Sequence, residues 1–416
     1  MKFNKWTLGL AAVGVVSLTS AARADEKMNS LQTALSNTTI SGSVSVSANW
    51  AITPGGESSA ENSPAAGIPF QGPNKVDGFN LDVVRLTIAK PEDESPWASG
   101  YQVDLMFGPD AVGYNPSANG TGGQFAGGTS ADFAIKQAYV TLRTPVGNGI
   151  DWKIGVFDTI IGYEVTDSQL DPNYTRSWGY FVEPTEHTGV LGTYKINDDW
   201  SVSAGIANTL EPGINNRDTE DGFGTFWHKT LMASVTYTAP SSWGWAAGSS
   251  FYAGMVYGFS GSGGGSSGGY AGGDQVNYYA GVTLNTPWKP LTTGFAFDYV
   301  HNLGGGYAYS NGYSDHTDVW VIGAYATYKV NDKLSFDGRA EYVNGTIFGD
   351  FGGSQFFSYS EDGYELTATM EYDMWANVMS RLELRWDHAN ANFTPAFGDV
   401  DHKDSVGLYA NVIYKF

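Results

Sequence analysis

The chain has 416 residues, no cysteine and a formal net charge of −21, from 22 basic and 43 acidic residues. The lack of cysteine excludes disulfides, thiolate metal sites and a cysteine nucleophile, and the acid excess argues against a nucleic-acid partner, which selects basic surfaces. The 54 glycines, 25 tyrosines, 22 phenylalanines and 13 tryptophans favour strands and turns over helices.

The first 24 residues have the layout of a secretory signal peptide. Two lysines precede the apolar stretch 6–18, and Ala22-Arg23-Ala24 forms an A-x-A cleavage site. The apolar stretch is too short to cross a bilayer as a helix, and no later stretch reaches about 18 uninterrupted apolar residues. We therefore predict an exported chain, cleaved after Ala24, in which residues 25–37 form a short periplasmic segment.

Strand-like segments follow along the rest of the chain. They are placed at residues 38–50, 80–90, 100–108, 132–143, 150–158, 188–196, 200–209, 229–239, 243–258, 275–286, 291–302, 317–330, 333–343, 361–374, 377–389 and 404–416. In the fifteenth segment Leu382 and Leu384 alternate with Arg381, Glu383 and Arg385, so the charges lie on one face. A charge on a lipid-facing side would cost about 2–4 kcal/mol at the membrane midplane.

The connections between these segments alternate in length. Those after even-numbered segments are short: PEDESPWAS, TPVGNG, NDD, PSSWG, TPWKP, NDK and MWAN. Those after odd-numbered segments are mostly long: residues 51–79, 109–131, 159–187, 210–228, 259–274, 344–360 and 390–403. Outer-membrane barrels show this alternation, with tight periplasmic turns and longer outer loops. We therefore predict an all-β, transmembrane, antiparallel up-and-down barrel of about 16 strands over residues 38–416.

Tryptophan placement supports a membrane barrel. One group lies at or beside the short turns: Trp97, Trp152, Trp200, Trp243, Trp245, Trp288 and Trp375. A second group lies near the opposite strand ends: Trp50, Trp227, Trp320 and Trp386. Two such rings are typical of the aromatic girdles at the two membrane–water interfaces. Ordinary aromatic packing near turns is the alternative.

The final stretch VGLYANVIYKF alternates apolar and polar residues and ends on Phe416. We predict that this strand closes the barrel against the first strand. Tyr414 and Phe416 then form a terminal aromatic signal at the periplasmic interface, similar to the one that the outer-membrane assembly machinery recognises.

Two stretches carry a family resemblance. IKQAYVTLRTPVGNGIDWKIGVFDTIIGYEV, followed by NYTRSWGYFVEPTEHTGV, resembles the OmpL-like β-barrel porin family of Gram-negative bacteria, as does the first strand, ALSNTTISGSVSVSANW. The QAYV strand, the G-x-F-x-T-x-I-G-x-E strand end and the N-Y-[ST]-R-S loop carry this resemblance. It implies an outer-membrane porin without naming a solute, and likeness to trimeric porins suggests a homotrimer.

The connection 159–187 is the predicted constriction, because a barrel of this size leaves an aqueous lumen. It contains Glu164, Asp167, Asp171 and Arg176. The inward strand faces are predicted to carry an arginine ladder: Arg85, Arg143, Arg339, Arg381 and Arg385. We predict that the loop folds into the lumen opposite this ladder, where the transverse field orients polar solutes and filters ions. The alternative is that these residues are solvated lumen charges with no constriction role.

A metal-binding rim, a barrel enzyme and a surface adhesin or receptor are the alternatives to a diffusion pore. Six histidines fall near predicted outer strand ends but lack the short spacing of a ligand motif, which favours ordinary interfacial roles over a metal rim. A barrel enzyme would need a nucleophile–base pair, and no Ser–His pairing can be inferred from the sequence. A surface adhesin or receptor would instead act through the long outer loops. We predict an outer-membrane porin for small hydrophilic solutes and ions, in contact with outer-membrane lipid, with no cofactor and no catalysis.

Overall fold

The computed structural model describes residues 37–52, 75, 77–114, 133–210, 214, 219–220, 223–224, 228–260, 273–301, 318–345, 347–351, 354–359, 362–390 and 403–416. Sixteen of its strands form one closed barrel in chain order, each strand pairing antiparallel with its neighbours. The predicted signal peptide, and most of the long loops on which an adhesin or receptor role would depend, lie outside the described residues.

The barrel strands, labelled β1 to β16 in chain order, have the following bounds. They are Thr39–Ala51, Gly78–Lys90, Ser99–Phe107, Phe133–Thr144, Ile150–Asp158, Glu186–Lys195, Trp200–Ala207, Thr230–Thr238, Ser250–Ser260, Gly273–Asn285, Leu291–His301, Val319–Lys329, Leu334–Gly345, Asp362–Trp375, Val378–Ala389 and Asp404–Lys415. Two short hairpins, Thr219–Glu220 with Phe223–Gly224 and Ile347–Phe351 with Ser354–Tyr359, lie in the outer connections and form separate sheets. No helix among these residues is long and apolar enough to span a membrane.

The last strand closes the barrel on the first, as predicted. Val44 pairs with Tyr414 and Trp50 with Leu408 along the β1–β16 ladder. Gly42 and Phe416 exchange two backbone hydrogen bonds of 2.9 Å, so the pairing extends to the final residue. This pairing satisfies the backbone groups of what would otherwise be two exposed edge strands, which a spanning barrel requires.

Alternation along the strands separates an apolar outer face from a charged inner face. On β15, Leu382 and Leu384 are 45% and 48% exposed, whereas Glu383 and Arg385 are fully buried. Six of the seven tryptophans at the short turns are exposed, among them Trp97 at 73% and Trp375 at 68%, whereas Trp152 is half-buried. Such an outer surface suits contact with lipid hydrocarbon and its interfaces.

The bounds of the predicted segments agree with those of the barrel strands to within two residues, except at the start of the ninth strand. The ninth strand begins at Ser250 rather than at residue 243, because Ser241–Ala246 form a 3₁₀ turn in which Gly244 has φ +62°. The alternating tryptophans of PSSWGWA imitate strand periodicity there. The two small hairpins differ from the prediction, which places loops throughout the connections that contain them.

Candidate functional site: the loop inside the barrel

The connection 159–185, between Asp158 and Glu186, lies inside the barrel and contains one short helix, α1, at Trp178–Val182. We call this segment the lumen loop. Its first residues are anchored by burial of apolar surface. Ile160 and Ile161 are 4% and 3% exposed and belong to one buried cluster with inward residues of the wall. The wall members of the cluster are Tyr139, Phe157, Leu191, Ala207, Met232, Val256, Tyr279, Ala296 and Tyr325.

The loop continues across the lumen from this apolar anchor. The Tyr163 ring stacks on that of Tyr325 at a centroid distance of 4.0 Å. A cavity of about 30 Å³ lies beside this pair, against Pro172 and Gly294. A space of that volume holds about one water molecule. The loop therefore packs closely on this side of the barrel.

A buried lysine holds the end at which the loop rejoins the wall. Lys136 on β4 is fully buried, with its Nζ 2.8 Å from Glu186 Oε1 and in direct contact with Asp158. His187 contributes a 3.0 Å hydrogen bond with Thr159 Oγ1. Lys136 and His187 thus tie together the end of β5, where the loop leaves the wall, and the start of β6, where it returns.

The helix α1 inserts aromatic side chains into the lumen. Ser177 caps it by accepting a 2.9 Å hydrogen bond from the Tyr180 N–H. Trp178 is 1% exposed and donates through Nε1 to Asp387 on β15 at 3.0 Å. Tyr180 packs in a cluster with Val83 on β2 and Met106 on β3, three and four strands from β15 around the barrel. The helix therefore contacts two separate parts of the wall.

Arg339 on β13 joins the lumen loop to the wall. Its guanidinium donates to Glu365 at 3.2 and 3.1 Å. It also donates to Glu164 of the loop at 2.8 Å and to the Thr175 carbonyl at 2.8 Å. Arg339 and both carboxylates are essentially inaccessible to solvent, so each charge depends on this one pairing geometry.

The other predicted arginines take different places. Arg85 lies 3.4 Å from Asp167 of the loop and 3.1 Å from Asp104 of the wall. Arg381 and Arg385 donate to loop carbonyl groups rather than to loop carboxylates. Arg143 is not at the loop, because it pairs with Asp151 at 2.6 Å beside a periplasmic turn.

Within the loop, Arg176 pairs with Asp171 at 3.1 Å. Burial raises the pKa of Asp171 to about 7, against the opposing charge of Arg176. The predicted separation of loop acids from wall arginines is therefore incomplete. Two arginines do face loop carboxylates, but the wall carries buried carboxylates of its own beside them, at Glu341, Glu365, Glu383 and Asp387.

A further anchor was not predicted from the sequence. The Tyr174 hydroxyl donates to Asp82 at 2.8 Å, and Lys75 lies 3.2 Å from Asp82 and 2.7 Å from Asp110. Lys75 comes from a long outer connection and Asp110 from the 3₁₀ helix Pro109–Tyr114, so the sequence gives no direct signal that these groups meet. Among the described residues no three His, Asp or Glu side chains converge as a metal site would require.

Glu183 lies at the far end of the loop beside another carboxyl group. Its side chain contacts Asp298 on β11, and burial together with the Asp298 charge raises the pKa of Glu183 well above its ordinary value. The carboxyl group lies over Gly162, where φ is +112° and a Cβ would fall 2.3 Å from Glu183 Oε2. Only glycine at position 162 permits this approach.

Comparison with known proteins gives a family and a fold. The family model described as "Putative beta-barrel porin-2, OmpL-like" matches residues 37–416. The outer membrane channel DcaP of Acinetobacter baumannii is 13% identical, with a TM-score of 0.57 and alignment over 94% of this chain and 100% of that one. An anion-selective porin from Comamonas acidovorans is 11% identical, with a TM-score of 0.54 over 91% and 99% of the two chains. A trimer form of OmpT from Vibrio cholerae is 14% identical, with a TM-score of 0.52 over 91% and 99%. Curated protein sequences give no match.

Proposed function

The chain belongs to the OmpL-like β-barrel porin family and is a porin of the bacterial outer membrane, and on that premise we propose that the lumen loop governs which solutes diffuse through it. The observation that supports this proposal most is that the loop binds opposite walls of the same lumen. Ile161 is packed in the apolar cluster on one side, while Tyr174 bonds Asp82 and Trp178 bonds Asp387 on the other. Small hydrophilic solutes and ions therefore cross the barrel through the space between the lumen loop and the wall.

The charge of the lumen favours cations. Among the described residues, twelve acidic and seven basic side chains are buried. The acidic ones are Asp82, Asp104, Glu164, Asp171, Glu183, Glu186, Asp298, Asp337, Glu341, Glu365, Glu383 and Asp387. The basic ones are Lys75, Arg85, Lys136, Arg176, Arg339, Arg381 and Arg385. A lumen with excess carboxylate raises the local concentration of cations.

We expect refolded protein to be cation-selective. In a planar bilayer with a tenfold KCl gradient, its reversal potential should have the sign that potassium permeation produces. Asp167→Asn should reduce that potential, because Asp167 lies on the lumen loop and its side chain is 16% exposed. Asp198→Asn is the matched control, since Asp198 lies in a periplasmic turn and is 98% exposed. Anion preference in the unmodified protein would contradict the assignment of selectivity to lumen carboxylates. Folded protein without conductance would contradict the diffusion function.

Assembly of the porin completes the proposal. We propose export through residues 1–24, recognition of Tyr414 and Phe416 by the outer-membrane assembly machinery, and association into a homotrimer within the lipid. The trimer form of the Vibrio cholerae relative supports the last point. Chemical cross-linking of the folded protein in native membranes should give a trimer band on denaturing gels.

A further inference from the structure

The lumen wall bonds the main chain of one segment of the lumen loop as well as some of its side chains. Five charged side chains of β13 and β15 contact the backbone of residues 171–179, and we call them the main-chain groove. They are Arg339, Glu341, Arg381, Glu383 and Arg385, each 5% exposed or less. Together they form eight hydrogen bonds with peptide groups of the loop.

The carboxylates of the groove accept hydrogen bonds from backbone N–H groups in pairs. Glu383 accepts from Tyr174 at 2.6 Å and from Thr175 at 3.0 Å. Glu341 accepts from Trp178 at 2.6 Å and from Gly179 at 3.1 Å. Each carboxylate thus uses both of its oxygens on consecutive peptide N–H groups, as a charge-assisted acceptor does.

The arginines of the groove donate to the backbone carbonyls of the same segment. Arg381 donates to Asp171 at 3.0 Å and to Asn173 at 2.8 Å. Arg339 reaches the Thr175 carbonyl at 2.8 Å and Arg385 the Arg176 carbonyl at 2.5 Å. The groove therefore bonds both the N–H and the carbonyl groups of one continuous segment.

This arrangement follows from the period of a strand. Arg339 and Glu341 are two residues apart on β13, as are Arg381, Glu383 and Arg385 on β15, so they share the inward face. Arg339 and Glu383 also bond the Thr175 hydroxyl, but eight bonds of the five side chains go to peptide groups of residues 171–179. A short peptide offers both the N–H donors that the carboxylates bond and the carbonyl acceptors that the arginines bond.

We propose that the main-chain groove is a binding site for short peptides, and that residues 171–179 occupy it as an internal competitor. The inference rests on the proposed porin function, because the solute must reach the lumen. A peptide binds with the same wall bonds once the loop yields. Its apparent affinity is reduced by the fraction of molecules in which the loop holds the site.

Calorimetric titration of detergent-folded protein with N-acetyl-tetraalanine amide tests this site. The probe is uncharged, so lumen charge alone does not attract it. Its ester analogue, with every backbone amide N–H group replaced by oxygen, has nearly the same size but lacks backbone N–H donors for Glu341 and Glu383. We expect saturable binding of the amide and at least about tenfold weaker binding of the ester, since bonds to charged groups contribute about 1.5–3 kcal/mol each.

Loop and wall variants should change this affinity in opposite directions. A loop-shortened chain, in which a short Gly-Ser linker replaces residues 166–180, should bind the amide more tightly because the competitor is gone. In that chain, Glu383→Gln should weaken binding about tenfold. Asp337→Asn is the matched control, because Asp337 lies on β13 and bonds Thr327 and Ser335 of the wall. If the shortened chain does not fold, Tyr174→Phe in the full loop should tighten binding in the same direction.

The proposal is overturned if folded loop-shortened protein shows no saturable binding, if amide and ester bind equally, or if Glu383→Gln leaves the affinity unchanged. Conductance is measured separately on the same preparations. Binding without conductance would refute the diffusion function and keep the site. Conductance without binding would refute the site and keep the porin.

Discussion

Arg339→Gln is expected to lower the free energy of unfolding by about 3–5 kcal/mol, the usual cost of breaking a buried ion pair. The substitution leaves Glu164 and Glu365 without the guanidinium that bonds them at 2.8 and 3.1 Å. Water can relieve this cost only by entering the lumen as the loop moves away. We therefore also expect a larger single-channel conductance, because the Thr175 carbonyl loses its bond to the same side chain.

Arg143→Gln is the control for that prediction. Arg143 has an equally close partner, Asp151 at 2.6 Å, but the pair is 19% and 40% exposed and lies away from the loop. Exposed pairs contribute about 0–1 kcal/mol, so stability and conductance should change little. Unfolding is followed in urea by the loss of the fast-migrating folded form on unheated gels. Equal effects of the two substitutions would refute the anchoring role of Arg339.

Raising the pH from about 6 to about 9 is expected to loosen the lumen loop and increase conductance. The carboxyl group of Glu183 has a pKa raised well above its ordinary value of 4.5, first by burial and next by Asp298. Because its pKa is raised, Glu183 holds its proton more tightly in the packed loop than in a loop released into water. This stabilisation is complete below the ordinary pKa and is lost as the pH rises through the raised one. Between the ordinary and the raised pKa each pH unit disfavours the packed loop by about 1.4 kcal/mol, and above the raised one the effect grows no further.

The charged groups around Glu183 all act in the same direction. Asp298, Glu164 and Glu341 each raise its pKa, so its ionisation adds a negative charge to an acidic region. Glu183→Gln should reduce the pH step, because the amide stays neutral at every pH, and Asp171, with its pKa of about 7, contributes to the part that remains. Glu94→Gln, in an exposed periplasmic turn, should leave it intact. A pH step of unchanged size in the Glu183 variant would assign the response to other groups.

Strand periodicity and loop lengths predict most of the barrel. The period of two placed Arg381, Glu383 and Arg385 on one face of β15, and the structure buries all three. The alternation of short and long connections predicted the strand number and the closure on Phe416. These features are local in the sequence, or depend only on counting, so no knowledge of tertiary contacts was needed.

The contacts of the lumen loop could not be predicted in this way. Tyr174 meets Glu383 across 209 positions and Arg339 meets Glu164 across 175, and neither spacing leaves a local signal. A water-filled barrel predicts polar residues on the inward faces of its strands. That prediction misses Leu191, Met232 and Val256, which point inward and pack against Ile160 and Ile161. The adjacent apolar residues Ile160 and Ile161, directly after β5, were the available clue.

The most direct test of the loop's control over the pore is the single-channel conductance of the loop-shortened chain beside that of the intact protein, in the same bilayer and salt. Both chains keep every barrel strand, and folding is verified by gel migration before each measurement. We predict a small conductance for the intact protein and a severalfold larger one after shortening, because the loop bridges opposite walls through Ile161, Tyr174 and Trp178. Equal conductances would show that solutes pass independently of the loop and would contradict this account.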